Sequence, residues 1–304
     1  MFNSKLSFSS KLSVQAAGES ASVQMTGECH RQGMAKAGSL TLPICIESVR
    51  QDNVDVIGTP VTALSFDQQM TTILSWAKSR LSKIVLVANV HMLVEGVKDS
   101  TFATILKRAD LVTPDGMPLV WMIKKLTGRN QERVAGMDIL LSLCKSAEAE
   151  NVGVYFFGST PKTLDTIREK LTVDFPNLPI AGMETLPFAK VFTPEQDQQI
   201  VQSINQSGAG IVFVALGCPK QERWMFKNRE HVRSVMIGVG GAFPVYAGLK
   251  KWAPRWVRQS GLEWLYRFLQ EPRRLWKRYL VTNSHFIWLA LKQVLVTKPT
   301  HMRN

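Results

Sequence analysis

Five short loops carry residue types that can do chemistry, and each directly follows a run rich in β-branched and other apolar residues. Asn89 and His91 follow Ile84 to Ala88, Thr113-Pro114-Asp115-Gly116 follows Leu111-Val112, and Gly158-Ser159-Thr160 follows Val152 to Phe157. Gly217-Cys218-Pro219-Lys220-Gln221-Glu222 follows Ile211 to Leu216, and Gly240-Gly241-Ala242-Phe243 follows Val235 to Val239. In open α/β sheets ligands bind beyond the carboxyl ends of the strands, so a site is expected among these loops. Asp115 stands in a turn leading into an apolar helix, where its carboxylate could take a proton from an attacking hydroxyl. An aspartate before a helix also satisfies orphan first-turn amides, and on local sequence alone capping is the better account. Lys220 opens a helix after Pro219, where free amides, the helix dipole and a full charge favour phosphate; a well-started surface helix has the same sequence signature. Arg133, in a loop before another helix, is placed to reach a phosphate, although a surface arginine is the default. His91 reads as a helix-start or pocket-lining residue, since no second histidine stands at a metal-ligand spacing.

Several chemistries are excluded. Gly238-Val239-Gly240-Gly241-Ala242 lacks the G-x-G-x-x-G spacing of a nicotinamide site and follows the last strand rather than the first. There is no P-loop, no metal-ligand cluster and no nucleophilic serine motif.

The elements that must position these loops follow an alternation of short apolar runs and amphipathic stretches. Strands are expected at the runs named above and at Ile180-Ala181, with a hairpin over Val56 to Val61. Helices are expected from Ser65 to about residue 79 and over about 91–107, 117–127, 137–150, 161–173, 194–207 and 219–230. Thr193-Pro194-Glu195-Gln196 is a good helix start, with a capping threonine, proline at the first position and glutamine three residues on. The fold class is α/β: a Rossmann-like, largely parallel sheet with helices on both faces, plus a basic C-terminal helical appendage. The division expected is a disordered leader over residues 1–48, rich in Ser, Ala, Gly and Gln and without a secretory h-region, a core over 49–249, and the appendage over 250–304.

The net charge of +13 points to an anionic partner. Residues 250–304 carry twelve Lys or Arg against Glu263 and Glu271, and five of the eight tryptophans: Trp252, Trp256, Trp264, Trp276 and Trp288. Basic residues mixed with Trp and Leu at near-helical spacing suit helices lying on an anionic bilayer. An ordinary helical cap with a solvated basic face is the alternative, and both can hold in part. The run Phe286 to Leu291 is far below the roughly 20 residues that span a bilayer, so no transmembrane helix is expected. Cys29, Cys45, Cys144 and Cys218 have no metal or redox spacing; buried free thiols in a reducing cytoplasm fit them.

Five stretches in order resemble the WecG/TagA/CpsF glycosyltransferases, glycosyltransferase family 26, over about Val54 to Leu291. They are Asn89-Val90-His91-Met92, Ala109 to Gly116, Glu132-Arg133-Val134-Ala135-Gly136-Met137-Asp138, Gly217 to Trp224 and Gly261 to Arg267. The resemblance implies an inverting, metal-independent transfer, without cofactor, of a hexose or N-acetylhexosamine of the N-acetylmannosamine or glucose type. The donor would be a UDP-sugar and the acceptor a polyprenyl-diphosphate-linked sugar used in cell-surface polysaccharide synthesis. It implies Asp115 as the base, Asn89 and Gln221 as pocket-lining residues, and Arg267 and Arg274 as tail arginines that meet the diphosphate. The expected location is the cytoplasm, peripherally on the inner face of the plasma membrane, and a homo-oligomer is compatible with it. Two departures stand out: relatives with Phe-Asp contrast with Phe243-Pro244, and Val87 replaces a threonine of some relatives. Inversion needs one carboxylate and no second nucleophilic one, while the departing UDP needs arginines and helix-start amides. Two rivals are a nucleic-acid-binding protein tracking phosphates with its basic tail and a non-catalytic membrane scaffold; the charge is largely confined to one end and no nucleic-acid motif accompanies it. A chain cut after about residue 255 is expected to stay folded but lose activity.

Overall fold

The computed structural model describes residues 52–185 and 193–296; the leader expected over 1–48, with Cys29 and Cys45, lies outside the described residues. Strands β1 (Asn53–Val56) and β2 (Thr59–Thr62) pair antiparallel around Ile57-Gly58. Gly58 at φ +83 supplies a left-handed position that such a two-residue turn needs, with Ile57 at φ +45 beside it. The hairpin therefore starts three residues earlier than the run Val56 to Val61.

The main sheet has six parallel strands, β3 (Lys83–Ala88), β4 (Leu111–Pro114), β5 (Val154–Gly158), β6 (Ile180–Glu184), β7 (Ile211–Ala215) and β8 (Val235–Gly238), in the order β4-β3-β8-β7-β5-β6. Alternation along each strand sends side chains to opposite faces. Val85, Val87, Phe156, Phe213 and Ile237 enter one core cluster, covered by α1 (Phe66–Lys78), α5 (Gly136–Ala149), α6 (Pro161–Asp174) and α9 (Ala242–Tyr246). Ile84, Leu86, Phe157, Val212 and Met236 enter the other, covered by α2 (Val90–Lys98), α3 (Ser100–Arg108), α4 (Met117–Thr127), α7 (Pro194–Gln206) and α8 (Lys220–Lys227). Helices thus stand on both faces, as the α/β pattern requires.

Local sequence sets several helix starts. Ser65 and Gln68 form a capping box on α1, and Thr193 and Gln196 form another on α7. The single helix expected over 91–107 is two: Asp99 ends α2 and caps α3, its carboxylate accepting from Phe102 N at 2.9 Å. Apolar periodicity continues through that joint, which is why the break does not show in the pattern.

The basic C-terminal segment forms α10 (Arg255–Gln259), α11 (Glu263–Gln270) and α12 (Pro272–Val296). Phe286 and Ala290 of α12 are buried in the same cluster as Met92 and Leu93 of α2. Three residues on, Gln293 accepts from Ile57 N at 2.9 Å and donates to the Asp55 carbonyl at 2.8 Å. The opposite side of α12 is apolar too: Ile287, Trp288, Leu291 and Leu295 are exposed. No helix among the described residues is long and apolar enough to cross a membrane. Cys144 is a buried free thiol whose pKa that burial pushes up to about 12, and Cys218 is half-buried.

Candidate active site

The carboxyl ends of β4, β3, β8 and β7 stand side by side, and the loops that leave them carry the candidate residues. Asp115 follows β4 directly, and its backbone N–H donates to the Ala88 carbonyl at the end of β3 at 2.7 Å. Gly116 at φ +123 takes a conformation that a side chain would oppose, and turns the chain into α4. The cap of α4 is Gly116, with no side-chain cap bond, so Asp115 does not cap the helix it precedes. Its carboxylate faces Arg133 instead, at 3.5 Å.

Arg133 is held in place from beneath. Thr113, fully buried, donates its hydroxyl to the Val134 carbonyl at 3.2 Å, and Val134 N donates to the Pro114 carbonyl at 3.0 Å. The Arg133 guanidinium, 12% exposed, reaches three carboxylates: Asp115, Asp138 at 3.1 Å and Glu263 at 2.8 Å. Asp138, in the first turn of α5, also accepts from Arg258 of α10 at 3.1 Å, and Glu263 of α11 also accepts from Arg267 at 2.8 Å. Three carboxylates and three guanidiniums thus alternate around one end of the sheet. Burial raises the Asp115 carboxyl to about 6; the Arg133 charge opposes this, Glu263 adds to it, Arg267 opposes it and Asp138 adds to it. A carboxylate with that affinity for a proton is a competent base near neutral pH.

The C-terminal helices are seated on this loop by close approach. Gly261, at φ +78, lies so near α4 that a Cβ there would stand 2.9 Å from the Trp121 ring. Arg267 projects from α11 toward the loop after β8, where a Cβ on Gly241 would come within 3.9 Å of its Nη1. Arg274 lies in the first turns of α12, and its side chain is outside the described residues.

The remaining candidates occupy neighbouring loops. Asn89 caps α2, accepting from His91 N at 3.1 Å and Met92 N at 3.2 Å, so its carboxamide oxygen serves the helix start. His91 is 18% exposed in the first turn of α2, with Nδ1 4.0 Å from Glu95. Gln221 is buried; it accepts from Gly217 N at 3.2 Å and donates to Glu222 at 2.8 Å. Gly238 and Gly240 leave room for it, since a Cβ on either would stand 2.9 or 3.1 Å from its amide. Gln221 thereby joins the loops after β7 and β8. Lys220 takes the first position of α8, on the loop after β7. That strand stands three places from β4 in the sheet, about 14 Å at ordinary strand spacing. Val87 is buried in the core cluster, 3.6 Å from where a Cβ on Gly136 would lie, and Pro244 falls within α9.

Asp138 and Glu263 lie within stretches that carry the family resemblance, yet nothing in the sequence marks them, or Arg258, as parts of one charge array. Their partners lie up to 130 residues away, so spacing carries no trace of them. One signal does exist: Glu263 is one of only two acids among twelve bases in residues 250–304. The other, Glu271, is paired with Lys250 at 2.9 Å. Among the described residues no group of three or more His, Cys, Asp or Glu is arranged to hold a metal ion.

The model of the glycosyl transferase WecG/TagA/CpsF family matches residues 54–300. An N-acetylglucosaminyldiphosphoundecaprenol N-acetyl-beta-D-mannosaminyltransferase of Bacillus spizizenii is 32% identical over 250 residues, covering 80% of this chain and 94% of the relative. The protein of the same name from Bacillus subtilis is 30% identical over 204 residues, 66% of this chain and 76% of the relative. The chain belongs to the WecG/TagA/CpsF glycosyltransferase family and is a glycosyltransferase.

Proposed function

We propose that this member of the WecG/TagA/CpsF family transfers N-acetylmannosamine from its UDP derivative to an N-acetylglucosamine held on a polyprenyl diphosphate, in the synthesis of a cell-surface polysaccharide. The sugar and the acceptor are those in the names of the two Bacillus relatives. The observation that carries the mechanism is the position of Asp115, a partly buried carboxylate with raised proton affinity at the strand ends beside Arg133.

In the step proposed, the acceptor hydroxyl gives its proton to Asp115 as its oxygen bonds to the anomeric carbon of the donor. The bond from that carbon to the diphosphate breaks, UDP leaves with the electron pair, and the anomeric configuration inverts. Negative charge grows on the leaving oxygen, where guanidiniums stabilise it most in a site that water leaves. Arg133 and Arg267 are supported in that task by their closeness to Asp115, and Arg274 and Lys220 by their places on the tail and at a helix start. Asn89, His91 and Gln221 set the shape of the neighbouring loops, and Thr113 holds the Arg133 loop. Metal independence is part of the proposal, supported by guanidiniums standing between the carboxylates.

On this reading the enzyme works at the cytoplasmic face of the membrane, where a lipid-held acceptor meets a soluble nucleotide donor. The exposed apolar residues Trp256, Leu269, Trp276, Leu280 and Trp288, set among basic residues on α10 to α12, support peripheral binding to anionic lipid. Incubation with a panel of UDP-sugars and a lipid-diphosphate N-acetylglucosamine acceptor tests the reaction. Acceptor-dependent UDP release, greatest with UDP-N-acetylmannosamine and unchanged by EDTA, is expected. Release with another sugar alone would reassign the donor, and loss with EDTA restored by a divalent cation would overturn metal independence. Sedimentation with anionic liposomes tests the surface, and salt-sensitive binding to random DNA without binding of UDP would favour a nucleic-acid partner.

A further inference from the structure

Glu263 bridges two guanidiniums, that of Arg133, which faces Asp115, and that of Arg267 on its own helix. One carboxylate oxygen lies 2.8 Å from Arg133 Nη1 and the other 2.8 Å from Arg267 Nη2, and the side chain is only 17% exposed. A carboxylate bridging two guanidiniums satisfies the donors that a phosphate oxygen would use, with the same charge-assisted geometry. A diphosphate entering beside Asp115 therefore meets arginines that are already engaged. Asp138 holds the other edge of Arg133 at 3.1 Å, so the guanidinium does not need Glu263 in order to stay beside Asp115. The two acids differ in what they are attached to. Asp138 belongs to α5, packed in the core, whereas Glu263 begins α11, a helix with no fully buried residue.

We propose that Glu263 is an internal stand-in for the substrate diphosphate: it holds Arg133 and Arg267 before substrate arrives and gives way when the diphosphate binds. The proposal rests on the reading that a diphosphate enters beside Asp115, and adds a residue that competes with it. Exchange of one anion for another keeps both guanidiniums compensated at each stage, so Arg133, only 12% exposed, is never left as an unpaired buried charge. It also ties the seating of α11 to the occupancy of the site, because the residue that yields is the first of that helix.

The test is the affinity of the full chain for inorganic pyrophosphate and for UDP, measured by calorimetry on the parent and on Glu263→Gln. Glutamine keeps the shape and removes the charge, so E263Q is expected to bind both roughly three- to tenfold more tightly than the parent, a gain that shrinks with added salt. E263Q that folds like the parent and binds pyrophosphate equally or more weakly overturns the proposal, because Glu263 would then be orienting the arginines rather than competing for them. Should E263Q not fold, Glu263→Asp serves in its place: it keeps the charge but falls a methylene short of bridging both guanidiniums, so tighter binding is again expected, and affinity at or below that of the parent overturns the proposal. Tighter pyrophosphate binding by E263Q with no UDP binding by either protein would keep the stand-in and remove the uridine donor.

Discussion

Arg133 and Glu263 meet at 2.8 Å although 130 residues separate them in the chain. Arg133 is placed by the strand-end turn that also carries Asp115, and Glu263 by a helix of the basic tail. Their meeting makes the tail part of the electrostatic surroundings of Asp115. Removing α11 would take away Glu263, which raises the Asp115 proton affinity, and Arg267, which lowers it. The tail is therefore expected to influence catalysis through charge as well as through the membrane.

Asp115→Asn is expected to lower kcat by about a hundred- to ten-thousand-fold, the usual contribution of a general base. The same change is expected to stabilise the fold at pH 7. Folded Asp115 holds its proton up to about 6, whereas a carboxyl in the unfolded chain releases it near 3.8. Between those values the folded state binds more protons, so stability is lost as pH rises through that window. Asparagine escapes that loss, a gain of roughly 3 kcal/mol at pH 7 that vanishes below pH about 4. Urea melts of both proteins at the two pH values check this. Transfer by D115N at the parent rate would remove the base assignment.

The pH dependence of kcat/KM should show the same group. Activity is expected to fall with decreasing pH around a midpoint near 6, because the base must be unprotonated in the free enzyme. Arg133→Gln removes the nearest charge that favours the carboxylate, so its residual activity should show a higher midpoint. A profile flat from pH 5 to 8 in the parent, with chemistry shown to limit the rate, would count against Asp115.

The sequence makes the strand ends legible because a parallel sheet advertises itself. Each buried strand is a short apolar run, and chemistry-bearing residues directly follow it at Asn89, Asp115 and Gly217. Capping residues are equally visible where side chain and backbone partner lie three residues apart, as at Ser65 and Thr193. What local pattern misassigns is a side chain with two competing uses. Asp115 has the sequence context of a cap, and only the distant Arg133 shows that its carboxylate is turned elsewhere. Thr113 shows the converse, a polar residue beside the base whose hydroxyl is spent on the backbone of the Arg133 loop. Arg258 and Asp138 are 120 residues apart, and no periodicity of helix or strand connects them.

Gly261→Ala is expected to unseat the tail without touching any charged residue. The position has φ +78, which favours glycine, and a methyl there would stand 2.9 Å from the Trp121 ring and 3.1 Å from Met117 Cβ. The backbone strain alone costs about 1 kcal/mol, and the clash adds to it. Because α11 begins two residues on, the displacement moves Glu263 and Arg267 together. kcat/KM should fall at least about tenfold, as expected for a misplacement near 1 Å. Trp121→Ala in the same chain should recover part of the loss by opening the space; no recovery would mean that φ rather than the clash is decisive.

The appendage is expected to behave as two parts rather than one. A chain cut after residue 255 loses Phe286 and Ala290, which fill the cluster formed with Met92 and Leu93, and the Gln293 clamp on the hairpin. It would expose that core face and fold less stably than the full chain. Phe286→Ala isolates the effect: removing a buried phenylalanine typically costs about 3–5 kcal/mol, and thermal melts should show it. Trp288→Ala, on the exposed side of the same helix, should leave the melt nearly unchanged while weakening sedimentation with anionic liposomes. Equal melts for F286A and W288A would mean that α12 leans on the core without contributing to it. The expected split assigns the two apolar sides of one helix to different partners, the protein core on one side and lipid on the other.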